Sequence, residues 1–144
     1  TDKTRENSLN FFTTFTNRNY VLEKIDFCLG QVGLIEANNQ PVASLSHGDC
    51  RKLEIAMALA SDAKLLLLDE PMAGLGPSET QEMISLLNKL KGKQTILLVE
   101  HDMDAVFALA DRISVLVSGE IIATGEPNNI RRDSKVQKAY LGEA

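Results

Sequence analysis

A short apolar run that ends in two carboxylates, LLLLDEP at 65–71, places the strongest constraint on how this chain can fold. Four consecutive leucines show no alternation with polar residues, and the run is too short for a buried helix. Residues 64–69 therefore predict a strand buried on both faces, as in parallel sheets that helices cover. A second run, QTILLVE at 94–100, predicts another buried strand of the same kind.

Apolar residues at helical spacing surround these runs. Residues 47–61 and 79–91 each predict a helix, and Ser78 and Gly92 are expected to begin and end the second one. A third helix is expected to begin at Asp102. The side chains expected to face the core are Leu53, Ala56, Met57 and Ala60 in the first helix, Met83, Leu86, Leu87 and Leu90 in the second, and Val106, Leu109 and Ala110 in the third.

The carboxyl-terminal part predicts a hairpin and further helices. RISVLV at 112–117 and IIAT at 121–124, joined by Ser118-Gly119-Glu120, have the pattern of a β-hairpin. One or two helices are expected after Glu126-Pro127, ending near Leu141. Strands that alternate with helices imply an α/β fold with a largely parallel sheet.

The amino-terminal part and the composition further limit the possible folds and partners of the chain. Apolar residues such as Leu9, Phe12 and Phe15 recur at roughly helical spacing and predict two or three helices before a turn at 38–41. A net charge of -5 without a Lys/Arg cluster argues against nucleic acid as a partner. No apolar run approaches the roughly 20 residues of a membrane span, so work at a membrane would need a partner protein. The two cysteines are expected to be free thiols.

Asp69 and Glu70 are the first candidates for chemistry. They end the first predicted strand, and open parallel sheets bind ligands at that edge. Adjacent strand residues point in opposite directions, so the two acids are expected to have different roles. In a phosphoryl-transfer site, one would hold Mg²⁺, usually through water, and the other would polarise the attacking water. The alternative is an Asp-Glu-Pro turn that simply ends a strand.

His101, in EHD at 100–102, directly follows the second predicted strand and is expected at the same edge. A neutral imidazole there would contact a terminal phosphate or the attacking water. The alternative is an ordinary surface histidine at a strand end. The neighbouring acids favour the functional interpretation.

The segment LSHGD at 45–49 opens a predicted helix. Ser46 is expected to cap that helix, with its hydroxyl and nearby backbone N–H groups facing an anion. Gly48 would let a phosphate approach the backbone closely. A capping box between Ser46 and Asp49 explains the same residues without any ligand.

A glycine-rich segment, AGLGPSET at 73–80, follows the acidic pair. Its two glycines and its proline predict a tight loop. The loop would pack against a partner subunit or merely connect the strand to the next helix.

Taken in order, these segments resemble the motifs of the ATP-binding cassette (ABC) ATPases. LSHGD resembles the signature LSGGQ, LLLLDEP resembles Walker B, AGLG resembles the D-loop, and EHD resembles the switch-histidine segment. The resemblance implies that Asp69 serves Mg²⁺, that Glu70 is the general base, and that His101 lies at the γ-phosphate. It also places the signature residues at ATP held by the opposite subunit; these are Ser46, His47, Gly48 and Asp49. His47 and Asp49 depart from the signature, where glycine and glutamine stand.

Longer stretches are similar to the ATPase subunits of branched-chain amino acid importers, with urea-type importers as the alternative. They include RKLEIAMALA, DEPMAGLGPSET, LLVEHDMDAVFALADRISVLVSGEIIATGEP and the closing KAYLGEA. The implied fold is an incomplete P-loop NTPase-like cassette, with a partial helical subdomain in 1–44 and the carboxyl-terminal part of the ATPase core in 45–144. The implied cofactors are ATP and Mg²⁺. The implied partners are a second ATPase subunit, identical or different, transmembrane permease subunits at the cytoplasmic face of the inner membrane and, indirectly, a solute-binding protein.

The phosphate-binding pattern G-x-x-x-x-G-K-[ST] does not occur in the 144 residues; the one Gly-Lys pair is Gly92-Lys93. We therefore expect these residues alone not to hydrolyse ATP, and to be marginally stable or to associate through unpaired strand edges. Two alternatives stay open: a non-catalytic cassette that acts as a binding or dimerisation module, and a cassette ATPase of DNA repair or translation.

Overall fold

A computed structural model describes the backbone of residues 3–141 and the side chains of residues 18–140. The helices are α1 (Lys3–Val32), α2 (His47–Ala60), α3 (Pro77–Lys91), α4 (Met103–Leu109), α5 (Pro127–Arg132) and α6 (Ser134–Val136). The strands are β1 (Leu65–Asp69), β2 (Thr95–Val99), β3 (Ile113–Val117) and β4 (Glu120–Gly125). Short 3₁₀ turns cover Ile35–Ala37 and Val42–Ser44, and a π-helical segment covers Gln137–Leu141.

The strands form two separate pairs. β1 and β2 are parallel, with Asp69 opposite Val99 at the carboxyl end, and this confirms the predicted parallel arrangement. β3 and β4 form the predicted antiparallel hairpin. Ser118 and Gly119 at its tip have φ values of 49° and 84°, the left-handed geometry that suits a two-residue hairpin turn.

The prediction that β1 and β2 are buried on both faces is wrong for this chain. Leu66 is 2% exposed, but its neighbour Leu67 is 69% exposed, and on β2 Leu97 and Val99 are exposed in the same way. The alternate side chains, including Leu68 and those of Ile96 and Leu98, pack against the core that the helices build. Within the described residues, helices cover one face of the sheet, and the leucines of the other face remain in contact with water.

The first core lies between this covered face and helices α1 to α4. The four predicted inward residues of α3 are all buried: Met83, Leu86, Leu87 and Leu90. Burial of such a side chain stabilises a fold by roughly 2 kcal/mol. The prediction for α2 is partly wrong, because Met57 is 67% exposed while Ile55 and Ala56 are buried. The buried face of α2 is turned toward α1, which the spacing of α2 alone does not reveal.

The second core belongs to the hairpin and the terminal helices. Its buried members are Ile113, Val115, Ile130 and Val136. Tyr140 donates a hydrogen bond from its hydroxyl to the Leu116 carbonyl at 2.7 Å, which ties the terminal segment to β3. The predicted terminal helices are confirmed as α5, α6 and the π-helical segment.

The amino-terminal part forms one long helix, α1, rather than the two or three helices predicted. Its last turns bury Cys28, Leu29 and Val32 in the first core. The side chains of Leu9, Phe12 and Phe15 lie outside the described side chains. No helix in the described range combines the length and the apolarity needed to cross a bilayer. Both cysteines are free thiols, as predicted.

Candidate functional site

The carboxyl edge of the parallel pair carries the predicted acids and the histidine. β1 ends at Asp69 and β2 ends opposite it at Val99, so the chain leaves both strands at one edge. The Glu70 amide donates to the Val99 carbonyl at 2.9 Å, which extends the pairing by one residue. Asp69 and Glu70 are both exposed to solvent there. Parallel sheets bind ligands at this edge because the loops that leave it are free to shape a site.

Glu70 and His101 meet at this edge. Glu70 Oε1 lies 3.3 Å from His101 Nδ1, and both side chains are at least half exposed. An exposed pair of this kind contributes little to stability, so its interest lies in its position. Glu70 also has a φ of 46°, in the left-handed region that a glutamate rarely adopts. Strained backbone of this kind persists where surrounding structure holds it, often at functional sites.

The segment at 45–49 begins α2 as predicted. The exposed Ser46 accepts a hydrogen bond from the Asp49 amide at 3.0 Å, which confirms the cap. Asp49 accepts from Lys52 Nζ at 3.3 Å, and Lys52 also donates to Glu82 at 2.8 Å. The hydrogen bond that Lys52 donates to Glu82, followed by the one that it donates to Asp49, raises the pKa of Lys52 above its ordinary value. The N-terminus of this 14-residue helix is a surface where an anion would be stabilised.

His47 and Gly48 both contact other parts of the chain, although only Gly48 is buried and His47 is exposed. His47 Nε2 lies 3.3 Å from the Ala73 carbonyl oxygen in the loop that follows β1. Gly48 is buried, and a Cβ added there would lie 2.8 Å from Glu79 Oε1. Gly48 therefore packs the start of α2 against α3 and His47 contacts the loop, while the side chains of Ser46 and His47 remain exposed.

Glu79 also sets the start of α3. Its Oε2 accepts a hydrogen bond from the Gly76 amide at 3.0 Å, and the helix begins at Pro77. Gly76, not Ser78, is the N-cap, so the predicted cap is wrong by two residues. Proline at the first helical position explains the difference, because its fixed φ suits a helix start and its missing N–H needs no partner there.

Glu100 is the residue that sequence reasoning missed. Its two carboxylate oxygens accept hydrogen bonds from the Met72 amide at 3.0 Å and the His101 amide at 3.1 Å. Its carboxylate thereby connects the segment after β1 to the segment after β2. The signal was present in the sequence, since Glu100 is a third acid at a strand end beside Asp69 and Glu70.

The oxygen donors at the carboxyl edge fit a magnesium ion whose other ligands are water and nucleotide phosphates. They do not form a site in which protein side chains alone coordinate a metal. Within the described residues, no group of three His, Cys, Asp or Glu side chains is arranged to hold a metal. Mg²⁺ commonly takes one or two carboxylates and completes its shell with water and substrate phosphates, and Asp69 suits that role. An open cleft of about 560 Å³ lies elsewhere, at the amino ends of the strands near Lys64 and Thr95.

Two family models match the chain. The model described as ABC transporter matches residues 3–73, and the model described as branched-chain amino acid ATP-binding cassette transporter matches residues 120–144. Between them lie residues 74–119, which include α3, β2 and the segment EHD at 100–102.

Curated relatives carry the same description. The chain is 43% identical over 125 residues to the high-affinity branched-chain amino acid transport ATP-binding protein LivG of Escherichia coli, covering 85% of this chain and 49% of LivG. It is also 43% identical over 118 residues to BraF of Pseudomonas aeruginosa, covering 81% of this chain and 46% of BraF. The chain thus spans about half the length of the curated relatives it matches.

Solved structures share the fold. The ADP conformation of MJ1267, described as an ATP-binding cassette of an ABC transporter, matches with a TM-score of 0.77 at 32% identity. That match covers 86% of this chain and 51% of the other. Sequence motifs, family models, relatives and fold agree, and the chain belongs to the family of ATP-binding subunits of ABC transporters.

Proposed function

We propose that this chain forms the signature, Walker B and switch portion of an ATP-hydrolysing subunit in an importer of branched-chain amino acids. The observation that carries the proposal is the meeting of Glu70 and His101 at the carboxyl edge that Asp69 also occupies. The family models and the names of LivG and BraF support the solute class. A urea-type importer is the alternative within the same family.

Each residue at this edge has one task in the proposal. Bound magnesium–ATP supplies the phosphoryl group. Asp69 would hold the magnesium ion, because an exposed strand-end carboxylate offers oxygen to a hard cation. Glu70 accepts the proton of the attacking water, and its carboxylate reaches beyond the strand end where that water would lie. His101, whose Nδ1 lies 3.3 Å from Glu70 Oε1, would contact the terminal phosphate of bound ATP.

The start of α2 serves a second subunit. Ser46 is exposed and stands at a helix N-terminus, so its hydroxyl and nearby amides suit the γ-phosphate of ATP that the other subunit holds. We infer a partnership with an identical or different ATPase subunit and with permease subunits at the cytoplasmic face of the membrane. A solute-binding protein would act only indirectly. In this proposal residues 1–44 belong to a helical subdomain and residues 45–144 to the ATPase core.

The test joins this chain to the amino-terminal half of Escherichia coli LivG. The chimera is expected to hydrolyse ATP, and Glu70→Gln is expected to lower kcat at least 100-fold, in the range of a lost general base. The matched control is Glu120→Gln, which removes the same charge from the distant hairpin and should leave kcat unchanged. Hydrolysis that survives Glu70→Gln would refute the assignment of the base.

A further inference from the structure

The loop that joins β1 to α3, residues 70–76, needs support from outside itself. It holds two left-handed residues, Glu70 at φ 46° and Gly74 at φ 77°. Its internal hydrogen bonds, from Ala73 to the Glu70 carbonyl at 3.0 Å and from Leu75 to the Met72 carbonyl at 3.1 Å, shape turns but attach the loop to nothing else. A strained loop keeps one conformation only where neighbouring groups determine it.

Beyond the Glu70 amide, which donates to the Val99 carbonyl at 2.9 Å, Glu100 supplies the first attachment by a side chain. One carboxylate oxygen accepts from the Met72 amide at 3.0 Å, and the other accepts from the His101 amide at 3.1 Å and, at 3.5 Å, from Asp102. Hydrogen bonds to an ionised carboxylate are about twice as strong as neutral ones. Met72 is buried, so its amide would otherwise lack a partner away from water. A carboxylate accepts at both oxygens, whereas an amide side chain accepts at only one.

His47 supplies the second attachment, one residue further along. Its Nε2 lies 3.3 Å from the Ala73 carbonyl oxygen, and this contact is a hydrogen bond when Nε2 carries the proton. The imidazole also lies over Gly74, where an added Cβ would come within 3.0 Å of Nε2. Glycine, the residue of the LSGGQ signature at this position, has no side chain to make these contacts.

We propose that Glu100 and His47 are positioning residues that clamp the loop 70–76 between two segments. One is the segment after β2, residues 100–102, and the other is the start of α2. They hold adjacent residues of one loop, Met72 from one side and Ala73 from the other. Because Glu70 begins that loop, the clamp fixes the carboxylate of Glu70 relative to both His101 and the signature segment. If the start of α2 moves, His47 then moves the loop that it contacts, and Glu70 in the same chain moves with that loop. The clamp itself is a property of the described structure, and its effect on hydrolysis rests on the proposed function.

The clamp is tested on this chain by the NMR shifts and hydrogen exchange of individual amides. Glu100→Ala is expected to speed exchange at Met72 and His101 about tenfold or more, which corresponds to about 1.4 kcal/mol. Glu100→Gln should restore protection at one of the two amides, because one acceptor remains. The matched control is Glu54→Ala, which removes a carboxylate that pairs with Arg51 on α2. Unchanged amides at both Met72 and His101 in Glu100→Ala would overturn the proposal.

The second attachment has its own pair of variants. His47→Gly should loosen Ala73 and Leu75, whereas His47→Gln should restore them because its amide nitrogen reaches near the place of Nε2. The amides of the β3–β4 hairpin report whether each variant remains folded. If the hairpin is intact and His47→Gly leaves Ala73 and Leu75 as protected as before, His47 does not clamp the loop.

The consequence for hydrolysis is measured separately in the LivG chimera. Glu100→Ala is expected to lower kcat about tenfold with little change in KM for ATP, because a misplaced Glu70 affects the chemical step more than binding. An unchanged kcat together with faster amide exchange would leave the clamp purely structural and overturn its role in positioning Glu70. A wild-type chimera that hydrolyses no ATP contradicts the proposed function, and the amide measurements still decide the clamp.

Discussion

The left-handed backbone conformation of Glu70 leads us to predict that one substitution, Glu70→Asn, raises stability, although Glu70 is needed for hydrolysis in the proposed function. Glu70→Asn keeps a polar side chain but places there a residue that adopts this conformation readily. The left-handed conformation costs a typical L-residue about 1–2 kcal/mol, which asparagine largely avoids. The exposed pair with His101, lost in the variant, contributes at most about 1 kcal/mol. We therefore expect a net stabilisation of about 0.5–1 kcal/mol.

The measurement is urea unfolding of this chain and of Glu70→Asn, followed by circular dichroism. In thermal unfolding, a gain of 1 kcal/mol corresponds to a rise in Tm of about 3–5 °C for a chain of this size. Asp69→Asn is the matched control, because it removes the same charge at the adjacent residue, whose φ is not positive. A Glu70→Asn variant that is less stable than both the parent and Asp69→Asn would refute the reasoning from strain. In the LivG chimera the stabilised variant should also lose hydrolysis.

Three further predictions follow from packing and charge. Met83→Ala removes a side chain that is 0% exposed and should cost about 2–5 kcal/mol in urea unfolding; a cost below 1 kcal/mol would contradict the tight core. Leu67 lies on the face of the β1–β2 sheet that the helices do not cover, and Leu67→Lys should reduce self-association in analytical ultracentrifugation without changing the circular dichroism spectrum. Unchanged self-association would show that this face does not cause it. The pKa of Lys52 is raised by Glu82 and Asp49, so the small stability that this lysine adds is present below its ordinary pKa of 10.5 and is lost as pH rises beyond the folded value. Lys52→Met should therefore be less stable than the parent at pH 8, and this difference should shrink as pH rises through the raised pKa of Lys52. A difference that stays constant with pH would contradict the assignment.

Local patterns predicted the local structure well. The inward face of α3, the cap at Ser46 and the hairpin turn are each confirmed, because neighbouring residues determine them. The parallel strand pair is confirmed as well, although it joins residues that are 30 positions apart. The meeting of Glu70 and His101 at one edge followed from the same reasoning, since parallel strands bring their carboxyl ends together.

The failures concern contacts with residues that are distant in sequence. Met57 fits the apolar face of α2 by spacing, yet α1 packs on the neighbouring face and leaves Met57 exposed. The leucine run of β1 has the composition of a strand covered on both sides, but the helices of the described part cover only one side. Glu100 stands at a strand end, as Asp69 and Glu70 do, but its contacts could not be predicted because its partners are backbone amides, which leave no residue pattern in a sequence.

The negative charges at the carboxyl edge limit which ligands can bind there. Asp69, Glu70 and Glu100 bring three negative charges to one end of two short strands, and a phosphate group would be repelled by them. Glu100 differs from the other two acids, because its carboxylate oxygens already accept hydrogen bonds from the Met72 and His101 amides. The two remaining acids lie exposed, and a cation placed between them and an anion would offset the repulsion. Under the proposed function, a divalent cation would take that place, and Glu70, whose Oε1 lies 3.3 Å from His101 Nδ1, would accept the proton of the attacking water.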